Sequence, residues 1–369
     1  MKILFLSSSL AAHFGGAAVS ESSLAFELSK DHDLLLLSRS NRWDRNFTDA
    51  QGLTKVRSFS PISVFIAFLN PWHSLNTEIR NADLFHLNGH WFWENYFFAR
   101  LCCRYHTPYV LHPRGMLWTT YRRPKLKKIF NILIGNWIVR HADKVILLSK
   151  FEEQQCHTYR LKKENFIVIP NGIAPIQCIK AEEPTHSYFL YLGRIEARKN
   201  LEFLIRSFVL FNSENAYSQL RLVGPVERNY DVRLKELIAN LRLEKKITIE
   251  APIYGLEKTK LLTGAIAVIY PAIEEPFGRT IFEAFAAGTL CILPEKSGGA
   301  EYVEEFAPNL IYHDTSEASL NEKLKQTYAL PISERSQQIK ICQSWVAKHL
   351  DWPAITERVV KIYKQIVVQ

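Results

Sequence analysis

Short apolar runs alternate with longer amphipathic segments along the whole chain. In the first half the runs fall at residues 3–6, 34–37, 84–86, 109–111, 145–148 and 166–169, and segments 17–29, 93–104 and 124–140 between them carry apolar residues at helical spacing. The rhythm returns in the second half, with runs at 188–192, 220–223, 247–249, 267–270 and 290–293. A brief apolar run between polar turns reads as a strand buried on both faces. Strand–helix alternation then implies parallel sheets covered by helices on each side. Two such series predict an α/β architecture of two doubly wound, Rossmann-like domains, 1–173 and 174–350. Pro170-Asn171-Gly172 is a turn signal, and residues 173–184 are irregular and contain proline, so the linker belongs there. The last segment, 351–369, opens on Asp351-Trp352-Pro353 and places Ile355, Val359, Ile362 and Ile366 on one helical stripe. Such a stripe needs a surface to cover.

Composition narrows the class. The chain has 369 residues, 47% of them hydrophobic and 22% charged, which suits globular domains and not a disordered chain. The opening MKILFLSSSL reads as a buried first strand and not as a signal peptide. The later apolar stretch 129–139 is interrupted by Asn131 and Asn136 and is too short to span a bilayer. A cytoplasmic protein with reduced cysteines is the expectation, since none of the six cysteines makes a Cys-x-x-Cys pair. The net charge of +9 is unevenly divided. Residues 1–175 hold 22 Lys/Arg against 13 Asp/Glu, and the remainder holds 24 of each. An anionic partner would therefore face the first half. No nucleic-acid motif accompanies this charge, and no Gly-x-Gly-x-x-Gly follows a strand, which argues against a nicotinamide enzyme.

The sharpest chemical signal is Glu275-Pro276-Phe277-Gly278-Arg279-Thr280-Ile281-Phe282-Glu283, directly beyond the run 267–270. Gly278 suits a tight strand-to-helix turn, with the helix starting near Arg279 or Thr280. Backbone amides at that start favour phosphate. Glu283, expected on the first turn, can accept bonds from the vicinal hydroxyls of a ribose; Glu275 precedes the helix and can touch another polar group. The competing reading makes both glutamates ordinary surface acids at a helix N-terminus. A second stretch, Gly193-Arg194-Ile195-Glu196-Ala197-Arg198-Lys199-Asn200, follows the first run of the second half. It offers cations for a diphosphate, with Arg198 as a rival to Lys199, or else is an exposed basic loop.

These motifs resemble those of the family-4 nucleotide-sugar glycosyltransferases, whose members share the two-domain GT-B fold. Two glutamates separated by seven residues are the family's signature, and Glu275 and Glu283 match it. The resemblance implies that Glu283 binds the donor's ribose, that Glu275 contacts the transferred sugar, and that Arg194 and Lys199 hold the diphosphate. It assigns Phe277, Gly278, Arg279 and Thr280 to the donor loop, and it implies that the Gly15-Gly16 pair lets backbone approach the donor phosphates. His86-Leu87-Asn88-Gly89-His90-Trp91 and His112-Pro113-Arg114-Gly115-Met116 look like the exopolysaccharide branch of that family. His90 and Arg114 are the candidates for contact with sugar or acceptor, with His13 and His112 behind them. Many relatives carry histidine where Arg114 stands. Ile266, Ala272 and Ala251 also depart from common family residues near the base-binding wall.

The resemblance implies a retaining hexosyltransferase that needs no metal or other cofactor. It would hold a nucleotide diphosphate sugar between its domains, with a UDP-glucose-like donor favoured over GDP-mannose. A glycan or lipid-linked acceptor would arrive from the first domain, in surface-polysaccharide synthesis. The final helix would cross back onto the first domain. A nucleotide-sugar epimerase of the same architecture and a catalytically silent binding protein are the alternatives. The basic segment from Arg122 to Lys128 is either a solvated helix face or a peripheral contact with anionic membrane. Asp31-His32-Asp33, which imitates a metal motif, lies where a helix should turn into a strand.

Overall fold

The structure is a computed structural model that describes residues 1–11, 15–118, 123–176, 188–213 and 218–368. The chain divides into two compact units: residues 1–172 with 352–369, and residues 173–351.

The first unit is built on β1 (Lys2–Ser7), β2 (Asp33–Arg39), β3 (Val56–Phe59), β4 (Leu84–Asn88), β5 (Tyr109–His112), β6 (Lys144–Leu147) and β7 (Phe166–Val168), in the sheet order β3-β2-β1-β4-β5-β6-β7. Every pairing is parallel. Alternate residues along each strand feed opposite cores. Leu4, Leu6, Phe85 and Leu87 pack under the helices Pro61–Leu69, Trp93–Tyr105 and Asn136–Arg140. Ile3, Phe5, Leu84 and Val110 pack under the helices Gly16–Asp31 and Trp352–Val367. The last helix supplies Trp352, Ile355, Val359, Ile362 and Tyr363 to that core, which is the surface its apolar stripe required. Strand order reverses direction between β1 and β4, the switch point beside which sheets of this kind bind ligands.

The second unit repeats the plan with β8 (Tyr188–Leu192), β9 (Gln219–Val223), β10 (Ile247–Glu250), β11 (Val268–Ile269), β12 (Cys291–Pro294) and β13 (Ile311–Tyr312). Their order is β10-β9-β8-β11-β12-β13, again with parallel pairs. Its switch point falls between β8 and β11.

Several elements lie outside the sequence expectation. β3 and β13 are edge strands of four and two residues, too short to show periodicity. The helix Pro61–Leu69, with Ser60 capping it through Ser63 N–H, reads in the sequence as an undivided apolar stretch. The expected helix 124–140 is interrupted by a π-helical turn at Asn131–Gly135. Asp31-His32-Asp33 is the passage from helix to β2. Part of the expected linker, together with Cys178, His13 and Arg122, lies outside the described residues. No described helix is long and apolar enough to cross a membrane.

Candidate active site

In the second unit, the loops leaving β8 and β11 at the switch point bring two of the expected residues together. Lys199, in the short 3-10 turn Ala197–Lys199, donates to Glu275 Oε2 at 2.6 Å. Arg198 lies 3.7 Å from the same oxygen. Burial pushes the Glu275 carboxyl upward, but Lys199, Arg198 and Arg194 outweigh it and hold the group below its usual range. Glu275 is therefore a carboxylate at neutral pH. Arg194 is exposed at the mouth of the same loop.

Gly278 caps the next helix, Arg279–Ala287, at φ 74°. A Cβ there would lie 2.6 Å from Ile281 Cδ1 and 3.2 Å from the Tyr270 ring, so both backbone and space call for glycine. No side chain caps this helix start. Glu283 is buried, and its two oxygens accept from Arg279 Nε and Lys258 Nζ, each at 2.7 Å. Burial raises this carboxyl too, and again the flanking cations, Arg279 and Lys258, prevail and lower it. A carboxylate offers about four lone-pair sites, so two fixed partners orient Glu283 and leave acceptor capacity for a ligand's hydroxyls.

In the first unit, the corresponding edge carries a buried polar network centred on Arg114, which adopts φ 51°. Its Nε donates to Asn88 Oδ1 at 2.7 Å and its Nη1 to Asn171 Oδ1 at 2.6 Å, while Glu21 Oε1 lies 3.8 Å from Nε. Glu21 in turn accepts from Ser7 Oγ, Ser8 N–H and Ser8 Oγ at 2.5–2.7 Å. On the next loop, Glu152 accepts from Gly115 N–H at 2.6 Å and Leu148 N–H at 2.8 Å; burial raises it to about 7 despite these bonds. One cation and two buried carboxylates thereby tie together the loops that follow β1, β4, β5, β6 and β7.

Comparison with known proteins places the chain. Residues 14–176 match the model described as Glycosyltransferase Family 4, and residues 177–344 match the one described as Glycosyl transferases group 1. The chain thus carries two glycosyltransferase domains, one of family 4 and one of group 1. The chain is 25% identical over 171 residues to the O-antigen chain mannosyltransferase RfbU of Salmonella typhimurium, across 46% of this chain and 47% of that one. It is 24% identical over 236 residues to an uncharacterized glycosyltransferase, MJ1607, of Methanocaldococcus jannaschii, across 60% of this chain and 59% of that one. The matched stretch thus spans about half the length of these curated relatives. Among solved structures, Anabaena HepE in complex with UDP and glucose superposes with a TM-score of 0.80, at 19% identity, over 99% of this chain and 100% of that one. That likeness is one of fold, GT-B.

The structure corrects five site expectations. Glu283 is the fifth residue of its helix and so opens the second turn, because the helix starts at once after Gly278. The Phe277 side chain is buried and stacked on Phe282 at 4.7 Å; it anchors the loop from inside and presents no ring to a donor. His90 is fully buried. Its Nε2 lies 3.0 Å from Asn131 Oδ1 in the π turn, Phe130 and Tyr159 enclose the ring, and burial lowers it to about 4. It is a neutral packing residue and exposes no nitrogen. Arg114 is likewise buried and committed to protein partners. His112 is buried beside His86 and held well below its ordinary value by burial and by Arg114.

Gly15, at φ 69°, caps the helix Gly16–Asp31, as a loop-to-helix glycine pair should. Thr280 is the second residue of its helix and half-buried. Sequence reasoning missed Lys258, Glu21, Asn88, Asn171 and Glu152. Two of them carry a signal in the sequence: Asn88 lies inside the His86–Trp91 motif, and Asn171 belongs to the Pro-Asn-Gly turn. Among the described residues no group of three or more His, Cys, Asp or Glu is arranged to hold a metal ion.

Proposed function

We propose that the protein transfers a hexose from a UDP-sugar, with retention of configuration and without a metal, onto a glycan or lipid-linked acceptor in surface-polysaccharide synthesis. The observation that carries this reading is the Lys199–Glu275 pair with Arg194 and Arg198 at the β8/β11 switch point. Cleavage of the sugar–phosphate bond leaves negative charge on the departing diphosphate, and preorganised cations in a fixed frame stabilise that charge. An ammonium has three donors; one holds Glu275, and two remain for phosphate oxygens. Glu275, kept ionised, accepts from hydroxyls of the transferred sugar. Glu283, fixed between Arg279 and Lys258, accepts from the ribose. The uncapped start of Arg279–Ala287 adds backbone donors.

A uridine donor is supported by the fold neighbour HepE, solved with UDP and with UDP-glucose. The likeness to the mannosyltransferase RfbU keeps a mannose-bearing donor in competition. A basic segment containing Arg123, Lys125, Lys127 and Lys128 supports peripheral contact with an anionic membrane at its cytoplasmic face.

Thermal-shift titration with UDP-glucose, UDP-galactose and GDP-mannose tests donor choice, because a ligand that binds the native state raises apparent stability by mass action. NMR of the product's anomeric proton, with and without EDTA, tests retention and metal independence. An inverted product, EDTA-sensitive turnover, or a donor epimerised without any acceptor would each overturn the reading.

A further inference from the structure

Lys258 is a lysine in an inward position. The helix Gly255–Thr263 buries Leu261 and Leu262, and Lys258, three and four residues before them, shares their face. Lys260, two residues on, is more than half exposed and pairs with Glu257 of its own helix. Lys258 instead crosses to the helix Arg279–Ala287 and donates to Glu283 Oε2 at 2.7 Å. Its side chain keeps 30% of its surface accessible and that of Glu283 keeps 12%, so the pair is sunk into the unit yet open to a solute.

The clamp around Glu283 is two-sided. Arg279 takes Oε1 from within the same helix, and Lys258 takes Oε2 from a different one. One fixed partner per oxygen leaves each oxygen about one lone-pair direction. Lys258 spends one of its three donors on Glu283. Beside the ion pair, an acceptor therefore stands next to a donor. A ligand ammonium could donate to Glu283 but could not accept from Lys258. A phosphate could accept from Lys258 but, once ionised, could not donate to Glu283. A hydroxyl does both, and the two carboxylate oxygens suit two hydroxyls on adjacent carbons.

We infer that Lys258 determines specificity jointly with Glu283: Glu283 accepts from both hydroxyls of a ribose, and Lys258 donates to the oxygen of one of them. This rests on the donor-site reading proposed above, and adds to it a residue and a discrimination. A site whose buried polar groups are arranged around a hydroxyl rejects an analogue that lacks it, because those groups are left unpaired. Lys258 thereby makes the protein select ribonucleotides over deoxyribonucleotides, whichever base they carry.

Isothermal titration of the full chain with UDP and GDP, and with the 2′-deoxy and 3′-deoxy forms of the tighter binder, tests the inference. The parent should bind the ribonucleotide more than roughly tenfold tighter than one of its deoxy forms. Lys258→Met should weaken the ribonucleotide about tenfold while changing that deoxy form by about twofold or less. Lys258→Arg keeps a donor and should retain most of the preference, and Lys260→Met, on the same helix, should bind as the parent does. Lys258→Gln is read by the same cycle should the methionine variant fail to fold. Equal weakening of ribonucleotide and deoxy forms would reduce Lys258 to a general charge or a packing residue and overturn the inference, leaving the donor site standing. A parent that binds ribonucleotide and deoxy forms alike would overturn it too. A parent that binds neither UDP nor GDP would overturn the donor-site reading, and the inference with it.

Discussion

Lys199 and Glu275 hold each other in place, so removing either does two things at once. Under the proposed function, Lys199→Met deletes a donor to the departing diphosphate; it also leaves Glu275 short of its strongest partner. A charge-assisted bond contributes about 1.5–3 kcal/mol, so kcat/KM for transfer should fall about ten- to a hundredfold. The double variant Lys199→Met/Glu275→Gln relieves the stranded carboxylate. Thermal stability should recover in it while kcat/KM stays low. Recovery of both would reduce Lys199 to a structural residue.

Glu152 poses a different question, because its folded pKa is raised where that of Glu275 is depressed. A raised carboxyl binds its proton more tightly in the folded state. The stability it contributes is present below the unfolded value of 4.5 and is lost as pH climbs to about 7. Glu275 has the opposite sign, its contribution being lost on acidification. Glu152→Gln removes the titration. Its stability deficit relative to the parent should shrink by roughly 2 kcal/mol between about pH 5.5 and about pH 8.5 in urea denaturation. A deficit independent of pH would show that Glu152 is not titrating in this window.

The helix Arg279–Ala287 shows how much an element owes to one residue at its start. Gly278→Ala must hold alanine at φ 74° with Cβ 2.6 Å from Ile281 Cδ1. Destabilisation of more than about 1 kcal/mol is expected in thermal denaturation. An unchanged melting temperature would mean that the helix start relaxes freely. The sequence revealed this element because strand, glycine and small-residue helix follow one another locally, and the same logic exposed most strands of both sheets. It failed wherever the decisive partner is distant along the chain. Lys258 meets Glu283 across 25 residues and Asn171 meets Arg114 across 57, and no local pattern marks such pairs. His90 misled for the same reason: a histidine after a strand looks poised for chemistry until the π turn and Tyr159 are seen to enclose it. Helix Pro61–Leu69 was hidden because apolar residues on both of its faces erase periodicity.

For the molecule as a whole, the last helix is part of the first unit's core although it is the final segment of the chain. Tyr363 O–H lies 2.5 Å from His86 Nδ1 beneath the sheet, and Trp352 sits where a Cβ on Gly172 would come within 2.3 Å of its ring. Truncation after residue 350 should therefore unfold residues 1–172 and not merely shorten the chain. A protein that keeps a full-height cooperative transition for the first unit by calorimetry would contradict this. The crossing at Gly172 and Trp352 has a further consequence. Chain exit and chain return touch there, and the Ile173 amide bonds to the Leu350 carbonyl at 2.7 Å on the other side. Residues 173–351 are thus a cassette spliced into its host through two neighbouring joints. Exchange of that cassette between relatives, cut at those joints, is the natural route to chimaeras, and under the proposed function these would pair one protein's donor preference with another's acceptor.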